Sequence, residues 1–173
     1  QKFGVMVADY YYCTERFEQG LTLARSLQAG RLGKPSRGAM QYLIFLEATC
    51  IYMLRDRDKA FQTYLKVLEL PGHSWTQDRA WFCAANIGLQ TIGNEKRVKQ
   101  SVELMHKLSK SGRRNEWVDR AKINYAVWIM DNESKDRGVE LLKRIIADKN
   151  SPNRELAEFY IKTYDEFHGK DKD

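Results

Sequence analysis

The apolar residues of this chain recur three and four positions apart along most of its length. The clearest series is Leu43, Leu46, Cys50, Met53 and Leu54, and three further series of the same kind follow it. This spacing places the side chains on one face of an α-helix, which has about 3.6 residues per turn. Strand-like alternation of useful length does not occur, so the pattern predicts an all-helical chain.

Four breaks divide the chain into blocks: residues 30–37, Pro71-Gly72, Ser111-Gly112 and Ser151-Pro152. Proline cannot continue the hydrogen-bond ladder of a helix, and glycine readily caps it. Each block also has a softer polar turn inside it, which predicts two helices joined by a short connection. The predicted N-caps are Asp58, Asn94 and Ser134. The predicted helices are Phe3–Cys13, Phe17–Gln28, Gly38–Leu54, Asp58–Leu70, Thr76–Ile92, Glu95–Lys110, Glu116–Met130, Lys135–Ala147 and Asn153–Phe167.

The second helix of each block starts its inward face at an equivalent position. These positions are Gly20, Ala60, Val98 and Gly138, at spacings of 40, 38 and 40 residues. Twelve residues earlier, on the first helix, the chain has Ala8, Ala48, Asn86 and Ala126. A small residue on each helix lets two antiparallel axes approach to about 8 Å. The spacing therefore predicts a helical hairpin that is repeated four times.

This pattern resembles the tetratricopeptide repeat (TPR) family, whose motif places small and aromatic residues at set positions of a helical hairpin. The first block matches it at Ala8, Tyr11, Phe17, Gly20 and Ala24, and the second at Ala48, Ala60, Tyr64 and Pro71. Asn86 and Val98 of the third block depart from the motif. The resemblance covers roughly residues 2–150. It implies an all-α fold, an α-solenoid of about four antiparallel hairpins with a C-terminal capping helix.

The predicted helical repeat domain spans residues 1–168. Its repeats are at about 2–30, 37–71, 75–111 and 115–150, followed by a cap at 152–168 and a polar tail at 169–173. The apolar residues of the cap predict the face that covers the end of the stack: Leu156, Phe159, Tyr160, Tyr164 and Phe167. An ordinary helical bundle with accidental periodicity is the alternative architecture.

Composition and chemistry narrow the classes of function. Hydrophobic residues make up 43% of the chain, enough for a packed core, and no apolar run approaches the ~20 residues that span a bilayer. Cys13, Cys50 and Cys83 lack paired spacing and are expected to be small buried residues. The histidines stand alone, and no phosphate-binding glycine loop occurs. We therefore expect no enzyme activity, no cofactor and no metal site. Cysteine usage favours the cytoplasm, with an upstream targeting segment as the open alternative.

In the TPR family, the first helix of each hairpin lines a peptide-binding groove. The resemblance implies partner-binding positions at Tyr42, Phe45, Leu46, Thr49, Ile87, Arg120, Asn124 and Val127. Family members that bind the acidic C-termini of chaperones use a clamp of Lys, Arg and Asn, which only Arg120 and Asn124 would fit here. We instead expect an apolar groove with basic margins, suited to an amphipathic helix or an extended segment with acidic flanks. The alternative for Phe45 and Leu46 is packing between neighbouring hairpins.

Positive charge concentrates in one stretch of the chain. The formal net charge is +6, and residues 94–122 hold nine Lys or Arg against four Asp or Glu. A basic surface is predicted at Lys96, Arg97, Lys99, Arg113 and Arg114. The leading hypothesis is a protein-protein interaction scaffold within a larger assembly, and the alternative is RNA binding by a helical-repeat protein. The open ends of a helical stack also allow dimerisation.

The four tryptophans fall into two groups. Trp75 and Trp117 lie near the starts of first helices, where a tryptophan either packs a block junction or anchors a partner. Trp81 and Trp128 lie within helical runs and are expected in the core.

Overall fold

The computed structural model describes residues 2–91 and 93–168, and this part of the chain forms nine α-helices. The helices are α1 (Lys2–Cys13), α2 (Phe17–Gln28), α3 (Arg37–Met53), α4 (Arg57–Glu69), α5 (Trp75–Leu89), α6 (Glu95–Ser109), α7 (Glu116–Asn132), α8 (Lys135–Ala147) and α9 (Arg154–His168). The predicted all-helical fold is confirmed. The largest difference in bounds is at the end of α5, whose predicted last residue, Ile92, lies outside the described residues.

Polar side chains at the helix starts accept hydrogen bonds from the first free backbone N–H groups. The predicted caps Asn94 and Ser134 are confirmed, since they accept from the backbone N–H of Arg97 at 3.0 Å and of Arg137 at 3.4 Å. The cap predicted at Asp58 is wrong. Asp56 caps α4 instead, at 3.1 Å from the Lys59 nitrogen, because the helix begins one residue before Asp58.

The described residues divide into two compact units, one up to Ser101 and the other from Val102 onward. In the first unit, α2 packs against α1 and α3, α4 packs against α3 and α5, and the first helices α1, α3 and α5 also contact one another in sequence. In the second unit, α8 packs against both α7 and α9. Neighbours along the chain are thus neighbours in the fold, as in helical repeats. The single-domain extent of 1–168 stays a prediction, and the tail at 169–173 lies outside the described residues.

Small residues lie where paired helices approach most closely. Ala8, Ala48 and Ala126, the predicted small residues of three first helices, are fully buried. In the α7–α8 hairpin, a Cβ atom added to Gly138 would lie 2.5 Å from the carbonyl oxygen of Ala126. Any side chain at Gly138 would therefore push the two backbones apart, which explains the small residue at this repeat position.

The α5–α6 hairpin departs from the prediction. Sequence spacing assigns its closest approach to Asn86 and Val98, yet both are only half-buried. A Cβ atom added to Gly88 would lie 1.7 Å from Oγ of Ser101, which is fully buried. The close approach is therefore displaced by two residues on α5 and three on α6, because the glycine lies on the first helix of this hairpin rather than on the second.

The helix α9 packs through a face rotated from the predicted one. Ala157 is fully buried, and Tyr160, Ile161 and Tyr164 pack around it in the core of the second unit. Leu156 and Phe159, predicted on the buried face, are 37% and 52% exposed. The prediction is wrong for these two residues, because the short side chain of Ala157 forms the contact. The side chain of Phe167 lies outside the described part of the chain.

The loop before α9 is tied back to the first turn of α7. Oγ of Ser151 donates a hydrogen bond to Oδ2 of Asp119 at 2.7 Å, and Nδ2 of Asn153 donates to the carbonyl oxygen of Glu116 at 3.1 Å. The second carboxylate oxygen of Asp119 accepts from Nζ of Lys122 at 2.8 Å. Asp119 is buried, so its charge is stabilised by partners on both oxygens.

The cysteines differ in burial. Cys50 is buried and Cys83 half-buried, whereas Cys13 is exposed at the end of α1. The expectation of buried cysteines is therefore wrong for Cys13.

Candidate binding surfaces

Polar and aromatic side chains from α1, α3 and α5 meet in the first unit. The Tyr42 hydroxyl donates a hydrogen bond to Oδ1 of Asp9 at 2.5 Å. The guanidinium carbon of Arg79 lies 4.7 Å from the ring centroid of Phe45 and 5.3 Å from that of Trp75. These five residues, called the Arg79 cluster below, join all three first helices of this unit.

The local sequence explains how α5 presents its part of the Arg79 cluster. Oγ of Ser74 accepts a hydrogen bond from the backbone N–H of Gln77 at 3.1 Å and so fixes the first turn directly after the Pro71-Gly72 break. Trp75 and Arg79 are four residues apart, which places them on the same face of the helix. A guanidinium over aromatic faces is stabilised by about 0.5–2 kcal/mol, depending on desolvation.

The Tyr42 hydroxyl is held in its protonated form. Burial raises the pKa of Tyr42 well above its ordinary value, and the hydrogen bond to Asp9 and the charge of that carboxylate raise it further. The Tyr42 hydroxyl therefore keeps its proton and donates a hydrogen bond to Asp9 throughout the neutral pH range. This bond fixes α1 to α3 at this surface.

Four of the partner-binding positions predicted in the first unit lie in its interior. Phe45, Leu46 and Ile87 are 3%, 1% and 4% exposed. Thr49 is also buried, where its hydroxyl lies 3.0 Å from that of Tyr64. Phe45 and Leu46 thus pack inside the first unit, as the alternative interpretation of these two residues expected. The ring centroid of Phe45 lies 5.7 Å from that of Tyr64. Their side chains cannot form the walls of an open apolar groove.

The exposed aromatic residue of this surface is Trp75, which is not among the predicted partner-binding positions. Trp75 is 46% exposed, although it lies against Arg79. Tyr42, the remaining predicted position in this unit, is half-buried. Arg79 is also not among the predicted positions. The sequence signal that could have identified it is the pair Trp75 and Arg79, four residues apart at the start of a helix that follows a Pro-Gly break.

The second unit carries a related pair on α7. Arg120 is exposed, and its guanidinium carbon lies 5.2 Å from the ring centroid of Trp117. Asn124 and Val127 are half-buried, and Val127 packs against the core of this unit. Trp81 and Trp128, expected in the core, are both half-buried.

The predicted basic surface divides between the two units. In the first unit, Lys96 and Lys99 are exposed, whereas Arg97 pairs with Asp58 and lies over the ring of Phe61, which leaves its side chain 15% exposed. In the second unit, Arg114 is exposed and Arg113 is half-buried. Arg97 thus has a structural role that explains its position without any ligand.

Residues 2–91 and 93–168 contain neither a metal-ligand cluster nor a membrane-spanning helix. No group of three or more His, Cys, Asp or Glu side chains there is placed to hold a metal ion. None of the described helices combines the length and the apolar composition that crossing a membrane requires.

Two solved structures are similar to this chain, and both are of a Podosopora anserina protein described as a kinesin light chain with nearly identical TPR-like repeats. One, a point variant, has a TM-score of 0.68 and 15% identity, covering 98% of this chain and 86% of that chain. The other has a TM-score of 0.67 and 14% identity, covering 98% and 87%. The likeness shows that this chain has a TPR-like repeat fold, which confirms the predicted fold class. Comparison with models of protein families and with curated proteins gives no match.

Proposed function

From the TPR-like repeat fold as premise, we propose that this chain is a protein-protein interaction scaffold that binds a segment of a partner protein on its first helices. The observation that supports this most directly is the Arg79 cluster, in which three first helices bring a cation, a carboxylate and a half-exposed tryptophan together. Helical repeats commonly bind through such composite surfaces, because each repeat adds side chains to one extended face.

The chemistry of the cluster favours a segment with an acidic residue next to an apolar one. A guanidinium binds a carboxylate through two parallel hydrogen bonds, and Arg79 is already held in place by Phe45 and Trp75. The exposed part of the Trp75 ring offers apolar area for a neighbouring side chain, and Trp and Arg are the residues that most often dominate binding energies.

The predicted partner-binding residues take different parts in this proposal. Tyr42 contacts the partner beside Arg79. The buried residues Phe45, Leu46, Thr49 and Ile87 support that surface from beneath. In the second unit, Arg120, Asn124 and Val127 form a separate candidate surface next to Trp117.

Selection of peptides followed by comparison of matched variants tests this proposal. Peptides would be selected from a randomised displayed library against the full chain, and their affinities measured by fluorescence anisotropy. We expect selected peptides to combine Asp or Glu with an aromatic or aliphatic residue. Arg79→Gln and Trp75→Ala should each weaken binding by about tenfold or more.

The control is Arg57→Gln, which removes the same charge from an exposed position on the second helix α4. Circular dichroism would show that each variant stays folded. Peptides that bind all three variants as tightly as the original chain would show that the Arg79 cluster is not the binding surface.

RNA binding, the alternative function, is tested by a separate measurement. Labelled single-stranded RNA would be titrated with the chain at several salt concentrations, since binding through phosphates weakens steeply as salt rises. Salt-sensitive binding that is reduced by Lys96→Gln, Lys99→Gln and Arg114→Gln together would replace the protein-binding proposal.

A further inference from the structure

A cavity of about 250 Å³ lies within the second unit, between the end of α6, the faces of α7 and α8, and the loop before α9. It shares no residue with the Arg79 cluster. None of the functions considered above uses it.

One wall of the cavity is formed by aromatic and aliphatic side chains. The rings of His106 and Tyr125 stack with their centroids 4.8 Å apart at an interplanar angle of 24°. Leu141 and the buried Ile145 add aliphatic surface. A planar ring that enters the cavity would therefore contact aromatic and aliphatic faces, which favour stacked packing.

The histidine of this wall is uncharged at neutral pH. Its burial and the nearby ammonium of Lys110 lower the pKa of His106 below its ordinary value. His106 thus offers a neutral stacking surface, and the positive charge around the cavity comes from other residues.

Three cations line the cavity: Lys110, which directly follows α6, Lys122 of α7 and Arg144 of α8. Lys122 uses one of its three N–H groups on Asp119, at 2.8 Å, and keeps two for a ligand. Arg144 pairs with Glu140, but both side chains are largely exposed, so that this pair is weak and easily exchanged.

The lining has three cations and two carboxylates, Asp119 and Asp148, and so a net charge of +1 with His106 neutral. Asp119 already accepts hydrogen bonds from Lys122 and Ser151, so its charge is compensated. Asp148 is the other carboxylate of the lining. An incoming anion therefore meets one excess positive charge, in a lining where Lys122 already pairs with Asp119.

We propose that this cavity binds a small ligand in which a planar ring carries an anionic group, an aryl phosphate or aryl carboxylate by chemical class. The ring stacks against the His106 and Tyr125 wall. The anionic group lies between Lys110, Lys122 and Arg144. This site goes beyond the proposed scaffold function and does not depend on it.

The two halves of the ligand are tested separately on the full chain by NMR titration. Phenyl phosphate carries both halves, benzyl alcohol has the ring alone, and inorganic phosphate has the anion alone. We expect phenyl phosphate to bind about tenfold tighter than either of the others, since stacking and charge-assisted hydrogen bonds act together. The largest shift changes should fall on residues of the cavity.

Pairs of variants, one inside and one outside the cavity, test where the anionic group binds. Arg144→Gln should weaken phenyl phosphate binding by about fivefold or more, whereas Lys143→Gln, an exposed neighbour on the same helix outside the cavity, should change it less than about twofold. Lys110→Gln and Lys107→Gln form the same comparison at the end of α6. All four positions are exposed, so the fold is retained.

The source of the ligand is distinguished by two further probes, adenosine monophosphate and a short peptide with a phosphotyrosine. Tighter binding of the first assigns a free nucleotide-like ligand, and tighter binding of the second assigns a side chain of a partner. Equal effects of Arg144→Gln and Lys143→Gln, or no response to phenyl phosphate at millimolar concentration, would overturn the proposal.

Discussion

The α5–α6 and α7–α8 hairpins both bring two helices into close contact through a glycine, but the glycine lies on opposite helices. In the α5–α6 hairpin it is Gly88, on the first helix, facing Ser101. In the α7–α8 hairpin it is Gly138, on the second helix, facing the backbone of α7. The comparison teaches that a hairpin can omit the Cβ atom at its crossing point on either of its two helices.

The two crossings also differ in what the absent Cβ atom would meet. At Gly88 the nearest atoms belong to the side chain of Ser101, which can be changed by substitution. At Gly138 they include the carbonyl oxygen of Ala126 and the backbone nitrogen of Met130, at 2.5 and 3.0 Å. Backbone atoms cannot rotate away, so the α7–α8 crossing should tolerate a side chain less well.

The largest effect is expected for Gly138→Ala. The added methyl group should lower the free energy of unfolding by about 3 kcal/mol, since α8 must move away from α7. Urea denaturation followed by circular dichroism measures this. Gly38→Ala is the control, because no atom lies within 4 Å of the added Cβ there, and it should be neutral or slightly stabilising. Equal stability of the two variants would show that the crossing is not as tight as described.

The next largest effect is expected for Gly88→Ala, and a second substitution should rescue it. The single substitution should cost about 1–2 kcal/mol. Adding Ser101→Gly should restore at least half of this, because it removes the atoms that clash and recreates the arrangement of the α7–α8 hairpin. The Ser101 hydroxyl accepts or donates no hydrogen bond within the described part of the chain, so its loss costs little. A double variant no more stable than Gly88→Ala would contradict the swap.

A smaller effect is expected at the crossing of α1 and α2, where the Cys50 sulfur lies 3.2 Å from the position of a Cβ on Gly20. Burial, followed by the charge of Glu47, raises the pKa of the Cys50 thiol to about 11. The thiol ionises at a lower pH in the unfolded chain than in the folded chain. Its contribution to the free energy of unfolding is therefore fully present below about pH 9 and is lost as the pH rises toward 11. The loss from this thiol should be about 1 kcal/mol at pH 10.

Two variants isolate that contribution. The free energy of unfolding would be measured at pH 8 and pH 10 for the original chain, Cys50→Ala and Cys13→Ala. The decrease between the two pH values should be smaller in Cys50→Ala alone, because Cys13 is exposed. An identical decrease in all three would show that the Cys50 thiol does not govern the alkaline loss.

The smallest effect concerns the turns inside the hairpins. Glu15, Arg55 and Gly93 follow one another at the repeat spacing and all have positive φ, at 60°, 69° and 78°. Arg55→Gly should therefore stabilise the chain by about 0.5 kcal/mol, and Gly93→Ala should destabilise it by about 1 kcal/mol. Thermal unfolding of both variants measures the pair, and shifts in the same direction would contradict this explanation.

The helices and most of their caps could be predicted from sequence, because each rests on local signals. Apolar spacing, Pro-Gly breaks and polar residues at helix starts act within a few residues of one another. The crossing of α5 and α6 could not be predicted in the same way. The repeat spacing pointed to Asn86 and Val98, and only the packing of two helices shows that Gly88 and Ser101 meet.

The candidate binding surface was less predictable for a related reason. Family positions on first helices identify which face is in question, but not the rotation of each helix. In the structure, Phe45 and Leu46 are buried and Trp75 is exposed. The same uncertainty applied to α9, where Ala157 faces the core and Leu156 and Phe159 are exposed.

The hydrogen bonds that tie the loop before α9 to the start of α7 couple the opening of the last helix to that of α7. Ser151 and Asn153 fasten the beginning of α9 to residues more than thirty positions earlier in the chain. Farther along α9, the Tyr164 hydroxyl donates a hydrogen bond to Oδ1 of Asp131 at 2.9 Å and its ring packs against the core of the second unit. Amide hydrogen exchange in α9 should therefore be slow from its first turn to Tyr164, so that the helix opens together with α7 and α8 rather than from its carboxyl end.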